Sequence, residues 1–582
     1  MQFIYDGSII DVNDNDNILL KKWKEPYITG DVQPRKPGLC IFNNSVEALK
    51  MLNKHIINKS RIGFHTDVDV DGIGSTYIAN KFINSQNIRA AAVLINKDKV
   101  HGIQQKHADF FNTNNILDLL VITDSSTNEI DIIKQFKCDV LVIDHHECLH
   151  NDLKGICNDG VHEYVIVNNT LSNSNFLKDL EWLKARNSES FKEIEVYLGE
   201  SRMSCGLVVY ELLRLYLECF GNPRILENLN LFQWVGVTLL TDAINLLTER
   251  NQWYMDKTVH STDVESSLKV MMNNINRFKA TLDKTYINYS FAPIINKAIR
   301  AGKSSEALNI VLNYPEKILA LDMYKKMQED AINKVLYTNY EQVKQMKESI
   351  MSQGFDEEYA TNKLRSLGYV IDYIPRKFTG QFIAEDISSR NIHHNYSGVI
   401  AGRLAGENDK NTAVYIIDEE GFAKGSFRGR LSDADYRSFF ESYNDSIYAQ
   451  GHPAAFGFRC KIEQLNDIMS KLNSIETETD IREFLSCGIM PDNEKGVYHI
   501  QSFDDFKRAG YLLRLGIGNS TVDSKDIINI KVPARDVLLK DVRGKLYLYN
   551  VYGLECKAFK QLSGEYFNLY IEFTNELNMY IK

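Results

Sequence analysis

A chain of 582 residues has room for about four domains, and with 44% hydrophobic and 25% charged residues it has the composition of a globular protein that buries a core, not of a disordered or fibrous one. No apolar run approaches the roughly 20 residues of a membrane span, the start Met1-Gln-Phe-Ile-Tyr-Asp6 has neither the basic opening nor the apolar stretch of a secretory signal, and nine cysteines without a CxxC pair argue against a disulfide framework or a zinc site. The formal net charge of −10 counts against a uniformly basic nucleic-acid binder, yet it is compatible with a local basic groove beside an acidic metal site.

In chain order, residues 1–60 read as an N-terminal extension, with a helix over 45–57 and Ser45 as its candidate N-cap. From residue 61 to 260 short apolar runs alternate with helical segments: Ile62–Phe64, Ala90–Ile95, Leu119–Thr123, Val140–Ile143 and Tyr164–Val167. Runs this short suit strands buried on both faces, so a doubly wound parallel α/β sheet is predicted, with helices over 202–220 and 229–247. Residues 261–365 read as a helical segment and connector, in which 316–348 is long, charged and almost free of Gly and Pro, with one break. A smaller α/β region over 366–478 is expected to carry strands at Gly398–Ile400, Ala413–Ile417 and Ala423–Ser426 and a helix over 463–472. The last stretch, 479–582, is β-rich and suits an OB-like barrel or a sandwich. Its Tyr547, Tyr549, Tyr552 and Phe559 either stack on bases or fill the core.

Three strand ends deliver acids. After Ile62–Phe64 come His65, Asp67, Asp69, Asp71 and Gly72; Asp124 follows Leu119–Thr123; Asp144, His145 and His146 follow Val140–Ile143. Alone, the first run fits either a solvated acidic loop or a set of oxygen ligands for a hard cation. A calcium-binding EF-hand is excluded, because its twelfth position falls near Ile78–Asn80, where there is no glutamate. In a parallel sheet the carboxyl ends of neighbouring strands lie side by side, so these residues can converge on one site.

Asp144-His145-His146 resembles the signature of the DHH phosphoesterases, the run His65–Gly72 is similar to their first motif, and Trp234–Arg250, with Asp242, is similar to their fourth. The resemblance implies two divalent metal ions, Mn²⁺ or Mg²⁺. It places His65, Asp69 and Asp124 on one metal and Asp71, Asp124, His145 and Asp242 on the other. His146 would contact the scissile phosphate, Asp67 would stand behind the ligands, and Asp144 would act directly or orient the two histidines.

Within that family, further segments resemble the RecJ nucleases. Phe291–Gly302, with Asn296 and Arg300, is similar to their Pro-Arg-Ile-Asn-Ala-Ala-Gly-Arg segment, with Ile294 in place of its first Arg. Gly425-Ser426-Phe427-Arg428-Gly429 is similar to Gly-Ser-x-Arg-Ser of the DHH-associated domain, and Gly451-His452-Pro453-Ala454-Ala455-Phe456-Gly457 to Gly-Gly-His-x-x-Ala-Ala-Gly. Lys97 stands where those nucleases carry a phosphate-binding Arg, with the charge but not the bidentate fork. The resemblance implies a cytoplasmic enzyme of a bacterium or a phage-infected host, expected as a monomer without a membrane. It would hydrolyse terminal phosphodiesters of single-stranded DNA, or of RNA, from the 5′ end, releasing 5′-mononucleotides in repair or recombination. Lys97, Asn296, Arg300, Ser426, Arg428 and His452 would bind the strand, and a single-strand-binding protein or a helicase would be a partner. Two other readings stay open: a hydrolase of short oligonucleotides or cyclic dinucleotides, and a silent DHH scaffold of a replication complex.

Overall fold

The computed structural model describes residues 36–97, 100–148, 162–187, 190–191, 203–242, 244, 249–275, 282, 286–378, 380, 382–429, 436–443, 447–452 and 454–478. It gives strand backbone alone at 2–5, 8–11, 156–158, 194–196 and within 527–581, and backbone alone also at 249, 252, 452 and 473–478. The chain divides into two compact units: Met1–Asn296 with Ser305–Leu319 and Glu483–Lys582, and Lys297–Ser304 with Ala320–Arg482.

The first unit is built on a six-stranded sheet. Helix α1 (Ser45–Ile57) precedes β1 (Ile62–Thr66), α2 (Val70–Ser85), β2 (Ala92–Ile95), α3 (Gln105–Asn114), β3 (Leu119–Thr123), β4 (Asp139–Asp144), β5 (Ile156–Asn158) and β6 (Glu163–Asn168). The strand order is β2-β1-β3-β4-β6-β5, parallel except for the edge hairpin β5–β6. Every residue of β1, β3 and β4 is buried, as expected of central strands covered on both faces. Ser45 proves to be the first helical residue, not the N-cap: Asn44 takes that position in a left-handed conformation, and Ser45 Oγ accepts from Phe42 N–H at 2.9 Å.

Helices α4 (Cys205–Phe220) and α5 (Phe232–Thr241) pack with α2. Trp234 stacks on Tyr77 with ring centroids 4.5 Å apart. Tyr77 Oη–H and Trp234 Nε1–H both donate to Glu265, whose Oε2 also accepts Ser267 and Leu268 N–H at the start of the next helix. Glu211, fully buried on α4, is matched by Arg250 Nη1 at 2.6 Å, Arg214 Nη1 at 2.9 Å and Tyr254 Oη at 2.8 Å, the full pairing that a buried carboxylate needs.

The second unit has a mixed five-stranded sheet. Strands β7 (Ile383–Asp386), β8 (Thr412–Ile417), β9 (Phe422–Arg428), β10 (Tyr448–His452) and β11 (Ala455–Lys461) lie in the order β7-β8-β9-β11-β10, with only β7–β8 parallel. Phe427, Phe440, Phe456 and Phe458 form an aromatic core beneath it. The expected break in the long charged segment falls at residues 337–339, between α6 (Met323–Leu336) and α7 (Tyr340–Met351); α8 (Glu357–Ser366) follows, with a small core of Val343, Leu364 and Ile371. Gly398–Ile400, expected as a strand, opens helix α9 (Ser397–Asn408). Its buried Ile400, Ala401 and Leu404 follow helical spacing.

In the last hundred residues the strands Ile527–Pro533, Tyr566–Phe573, Leu577–Ile581 and Lys557–Ala558 form one sheet, and Val537–Val542 pairs with Lys545–Val551 as a hairpin. These pairings do not themselves close a barrel, and the side chains of Tyr547, Tyr549, Tyr552 and Phe559, read as stacking on bases or filling the core, lie outside the described residues. No described helix is long and apolar enough to cross a membrane.

Candidate metal centre

Strand register brings the acids together. His65 pairs with Ile122, Thr66 with Thr123, and Thr123 with Ile143, so Asp67, Asp124 and Asp144 emerge as neighbours at the sheet's carboxyl edge. Asp67 N–H donates to Thr123 O at 3.3 Å and Asp124 N–H to Ile143 O at 2.9 Å, which carries the ladder one step past the strands. Asp124 has φ +65° and Ser126 φ +80°, a left-handed backbone that non-glycine residues seldom adopt outside sites that need it. Asp69 caps α2, accepting Gly72 N–H at 2.8 Å. A Cβ on Gly72 would lie 2.6 Å from Asp67 O, so only glycine lets this turn close.

Asp71, in the first turn of α2, is held from the opposite side. Its Oδ2 accepts Cys205 N–H at 2.8 Å and its Oδ1 accepts Gly206 N–H at 3.0 Å, both amides of the α4 N-terminus. His145 Nδ1 lies 2.8 Å from Met203 O. A carbonyl can only accept, so Nδ1 carries the proton, and in the neutral ring Nε2 presents a lone pair. That lone pair faces Asp124 Oδ1 at 3.1 Å, Asp242 Oδ2 at 3.5 Å and Asp71 Oδ2 at 3.9 Å. Four acceptors thus point at one another in a buried space.

Burial, reinforced by the Asp242 and Asp69 charges, pushes the Asp71 carboxyl well above the ordinary range, and burial with Asp71 and Asp69 does the same to Asp124. The Asp124 oxygens are buried without a hydrogen-bond partner, and so are both ring nitrogens of His65. Burial holds His65 neutral, its pKa pushed down to about 3. Orphaned lone pairs and crowded buried carboxylates are what a divalent cation resolves, so the residues present fit a metal centre.

Three ligand groupings lie within reach of a single ion: Asp71 with His145 and Asp242; Asp67 with Asp69 and Asp124; and Asp124 with His145 and His146. The first coincides with one expected ligand set, short of Asp124. The second has Asp67 beside Asp69 and Asp124 where His65 was expected; His65 lies outside all three groupings.

Asp144 is saturated by the protein. Its Oδ1 accepts His145 N–H at 2.8 Å and pairs with His146 Nδ1 at 2.8 Å, while Oδ2 accepts Thr127 N–H at 3.1 Å. This favours the orienting role over direct action. Burial alone would raise Asp144, but His146 and His145 hold it below the carboxylate range. Burial likewise lowers His146, and the Asp144 charge more than offsets this, leaving its pKa raised to about 10. His146 is thus an imidazolium with 40% of its side chain exposed.

One neighbour escaped the sequence reading. His101 Nδ1 sits 2.6 Å from Asp67 Oδ2, and its ring centroid is 6.1 Å from that of His146. The only cue in the sequence was a histidine before Gly102.

The expected strand contacts divide by position. Lys97 is exposed just after β2, and Asn296 is half-buried on helix Ala292–Arg300. Arg300 Nη1 donates to Gln328 Oε1 at 3.0 Å, and Ile294, in place of the family's Arg, is buried. In the second unit Ser426 Oγ is 2.9 Å from Ser397 Oγ, and Arg428 Nη1 donates to Phe427 O at 2.7 Å. A Cβ on Gly398, in the first turn of α9, would lie 3.0 Å from Arg428 Nη2 and 3.3 Å from Ser426 Oγ. A helix N-terminus, two hydroxyls and a guanidinium therefore converge, a donor set suited to an anion. Gly429 replaces the family's last Ser because Tyr436 fills the space: a Cβ there would lie 2.1 Å from its ring. The His452 side chain lies outside the described residues.

The chain is similar to known proteins in sequence and in fold. Residues 61–166 match the model of the DHH family, N-terminal domain. The chain is 23% identical over 476 residues to the prophage-derived protein YorK of Bacillus subtilis (strain 168), provisionally named a single-strand DNA-specific exonuclease. The match covers 76% of this chain and 70% of that one, as does the match to its counterpart in Bacillus phage SPbeta. The structure is similar to that of RecJ from Thermus thermophilus in complex with Mn²⁺, with a TM-score of 0.61 at 15% identity over 97% of this chain and 77% of that chain. The Mg²⁺ complex of the same protein gives 0.56 at 13% identity, covering 96% and 71%. Residues 61–166 thus match the DHH family, N-terminal domain, and the chain has a RecJ-like fold.

Proposed function

We propose that the protein is a two-metal exonuclease that removes 5′-mononucleotides from the 5′ end of single-stranded DNA. The observation that carries this reading is the Nε2 lone pair of His145, fixed by Met203 O and aimed at the carboxylates of Asp71, Asp124 and Asp242. The assigned ligands are Asp71, Asp124, His145 and Asp242 for one cation, and Asp69 and Asp124, with His65 or Asp67, for the other. When bound, two cations supply the charge that acidifies a water and offsets the charge gathering on the phosphoryl oxygens. The chain's own residues do the rest. Asp144 locks the imidazolium of His146 in place to contact the scissile phosphate. Ser426, Arg428 and the α9 N-terminus take the terminal phosphate, and Lys97, Asn296, Arg300 and His452 are assigned to the strand. Support for a strand substrate, and for a role in repair or recombination, comes from the RecJ-like fold and from the name borne by the YorK relatives.

The test is digestion of single strands labelled at the 5′ or the 3′ end in Mn²⁺, with the products resolved. Immediate release of a 5′-labelled mononucleotide, with gradual shortening of the 3′-labelled strand, is expected. Release from the 3′ end overturns the polarity, and cleavage confined to dinucleotides makes the protein a short-oligonucleotide hydrolase.

A further inference from the structure

The second unit contains a cavity of about 320 Å³, lined by Lys334, Tyr337, Thr338, Tyr340, Glu341, Arg376 and Arg390. It lies where α6 breaks before α7, and none of its residues belongs to the metal centre or to the Ser426–Arg428 cluster. We propose that this cavity is a second nucleotide site, in which Arg376 and Arg390 hold a phosphate and Tyr337 stacks against the base.

The charge arrangement supports an anionic ligand. Arg376 Nη1 and Arg390 Nη2 converge on a single oxygen of buried Glu385, Oε1, at 2.6 and 2.5 Å. One carboxylate thus faces two guanidiniums. Arg390 Nη1 also donates to Lys334 O at 3.0 Å. Arg376 makes no other side-chain hydrogen bond among the described residues, which leaves Nε and Nη2 free to donate. Its side chain is 31% exposed, so these donors can reach a ligand. Lys334 adds positive charge, shared with Glu341 at 3.0 Å and Asp330 at 3.7 Å. The Glu385 carboxylate pre-organises the two guanidiniums, which lowers the cost of ordering them on binding. A planar fork pair of this kind matches a phosphate better than a carboxylate, which can use only one fork fully.

The aromatic side supports a base. The Tyr337 and Tyr340 rings both stand against Tyr373, at 5.3 and 5.1 Å. Tyr340 is buried, with its hydroxyl on Asp330 at 2.9 Å, so it acts as a support. Tyr337 is half-buried and lines the cavity, so one face of its ring can stack. The volume lies at the lower end of the range for small-ligand pockets and suits a single nucleotide. Choosing a nucleotide among phosphorylated aromatic ligands rests on the nuclease reading; the phosphate itself does not. The ligand is either a free 5′-mononucleotide or one nucleotide of a bound strand.

The test is calorimetric titration of the full chain in EDTA, where hydrolysis does not occur and the outcome is independent of the nuclease reading. Thymidine 5′-monophosphate should bind more tightly than thymidine, which lacks the phosphate, and more tightly than inorganic phosphate, which lacks the ring. Arg376→Gln and Tyr337→Ala should each weaken it by about tenfold, and Arg376→Lys should recover part of the loss. The same titrations in the Arg428→Ala background, where the separate phosphate cluster no longer competes for the monophosphate, should still show binding that Arg376→Gln and Tyr337→Ala weaken. Competition by an oligothymidylate without a terminal phosphate then identifies the source: displacement of the monophosphate means a strand nucleotide, and no displacement means the free product. Unchanged binding in both Arg376→Gln and Tyr337→Ala, with unaltered melting curves, overturns the site. So does loss of all binding in Arg428→Ala.

Discussion

Asp124 sits where a carboxylate is costly: buried, in a left-handed backbone, and faced by Asp71, Asp69 and the His145 lone pair. Its removal should relieve the apoprotein while destroying the site. Asp124→Ala is expected to melt no lower than the parent in EDTA. The Mn²⁺-dependent stabilisation of the parent, about 2.7 kcal/mol at a hundredfold excess over Kd, should be lost, and hydrolysis should fall to background. Thermal melts with and without Mn²⁺ check this, and an unchanged Mn²⁺ shift would remove Asp124 from the ligand set. Arg428 allows a sharper test at the same scale. If it serves a terminal phosphate through charge-assisted bonds, Arg428→Ala should lower kcat/KM on 5′-phosphorylated strands by about ten- to a hundredfold and leave 5′-hydroxyl strands nearly unaffected. Equal losses on both would make Arg428 a structural or general backbone contact.

At the scale of elements, α1 is fastened to the start of β4 through Asp139. This side chain receives Lys54 Nζ at 2.6 Å, His55 Nε2 at 2.9 Å and Glu163 N–H at 3.0 Å. Burial would raise the Asp139 carboxyl, yet the His55 and Lys54 hydrogen bonds hold it below the carboxylate range. A depressed folded-state pKa contributes stability that is complete above the unfolded value of about 3.9 and is lost as pH falls through the folded one. The deficit of Asp139→Asn, about 1–3 kcal/mol, should therefore be constant from pH 7 to about 5 and shrink below about 4. Urea midpoints at several pH values measure it, and a deficit that grew on acidification would contradict the clamp.

The sequence made such elements readable where burial dictates composition. β1, β3 and β4 are short apolar runs because both of their faces are covered, and the acids that follow them mark the sheet's carboxyl edge. Ser397–Asn408 was misread because Gly398–Ile400 is equally short and apolar, and the helical spacing of Ile400, Ala401 and Leu404 emerges only over a longer window. His101 was missed for a different reason. Its partner Asp67 is 34 residues away, and no periodicity links a loop histidine to a strand end. The closeness of Gly398 to Ser426 and Arg428 was equally hidden, since it depends on α9 starting against β9.

The molecule as a whole carries a net charge of −10, which disfavours a polyanionic strand unless its contacts are local. The carboxylates of the metal centre contribute to that charge, and two divalent cations would offset part of it. On the proposed function, strand binding would then depend on discrete cationic groups such as Lys97, Arg300 and Arg428. For single strands each neutralised phosphate adds about 0.7 to the slope of log affinity against log salt. A dinucleotide can engage few such groups; a strand of about 20 nucleotides can engage more, and residues 479–582 are where an extended track is expected. The measurement is kcat/KM in Mn²⁺ for both lengths at two salt concentrations, on the full chain and on a chain ending at residue 478. The full chain should show the steeper salt slope on the long strand. The shortened chain, if its melting curve shows it folded, should keep dinucleotide cleavage while its long-strand rate and slope fall toward the dinucleotide values. A shortened chain that digests long strands with the parental slope would place the track elsewhere. A full chain that prefers dinucleotides at every salt concentration would exclude an exonuclease acting on strands.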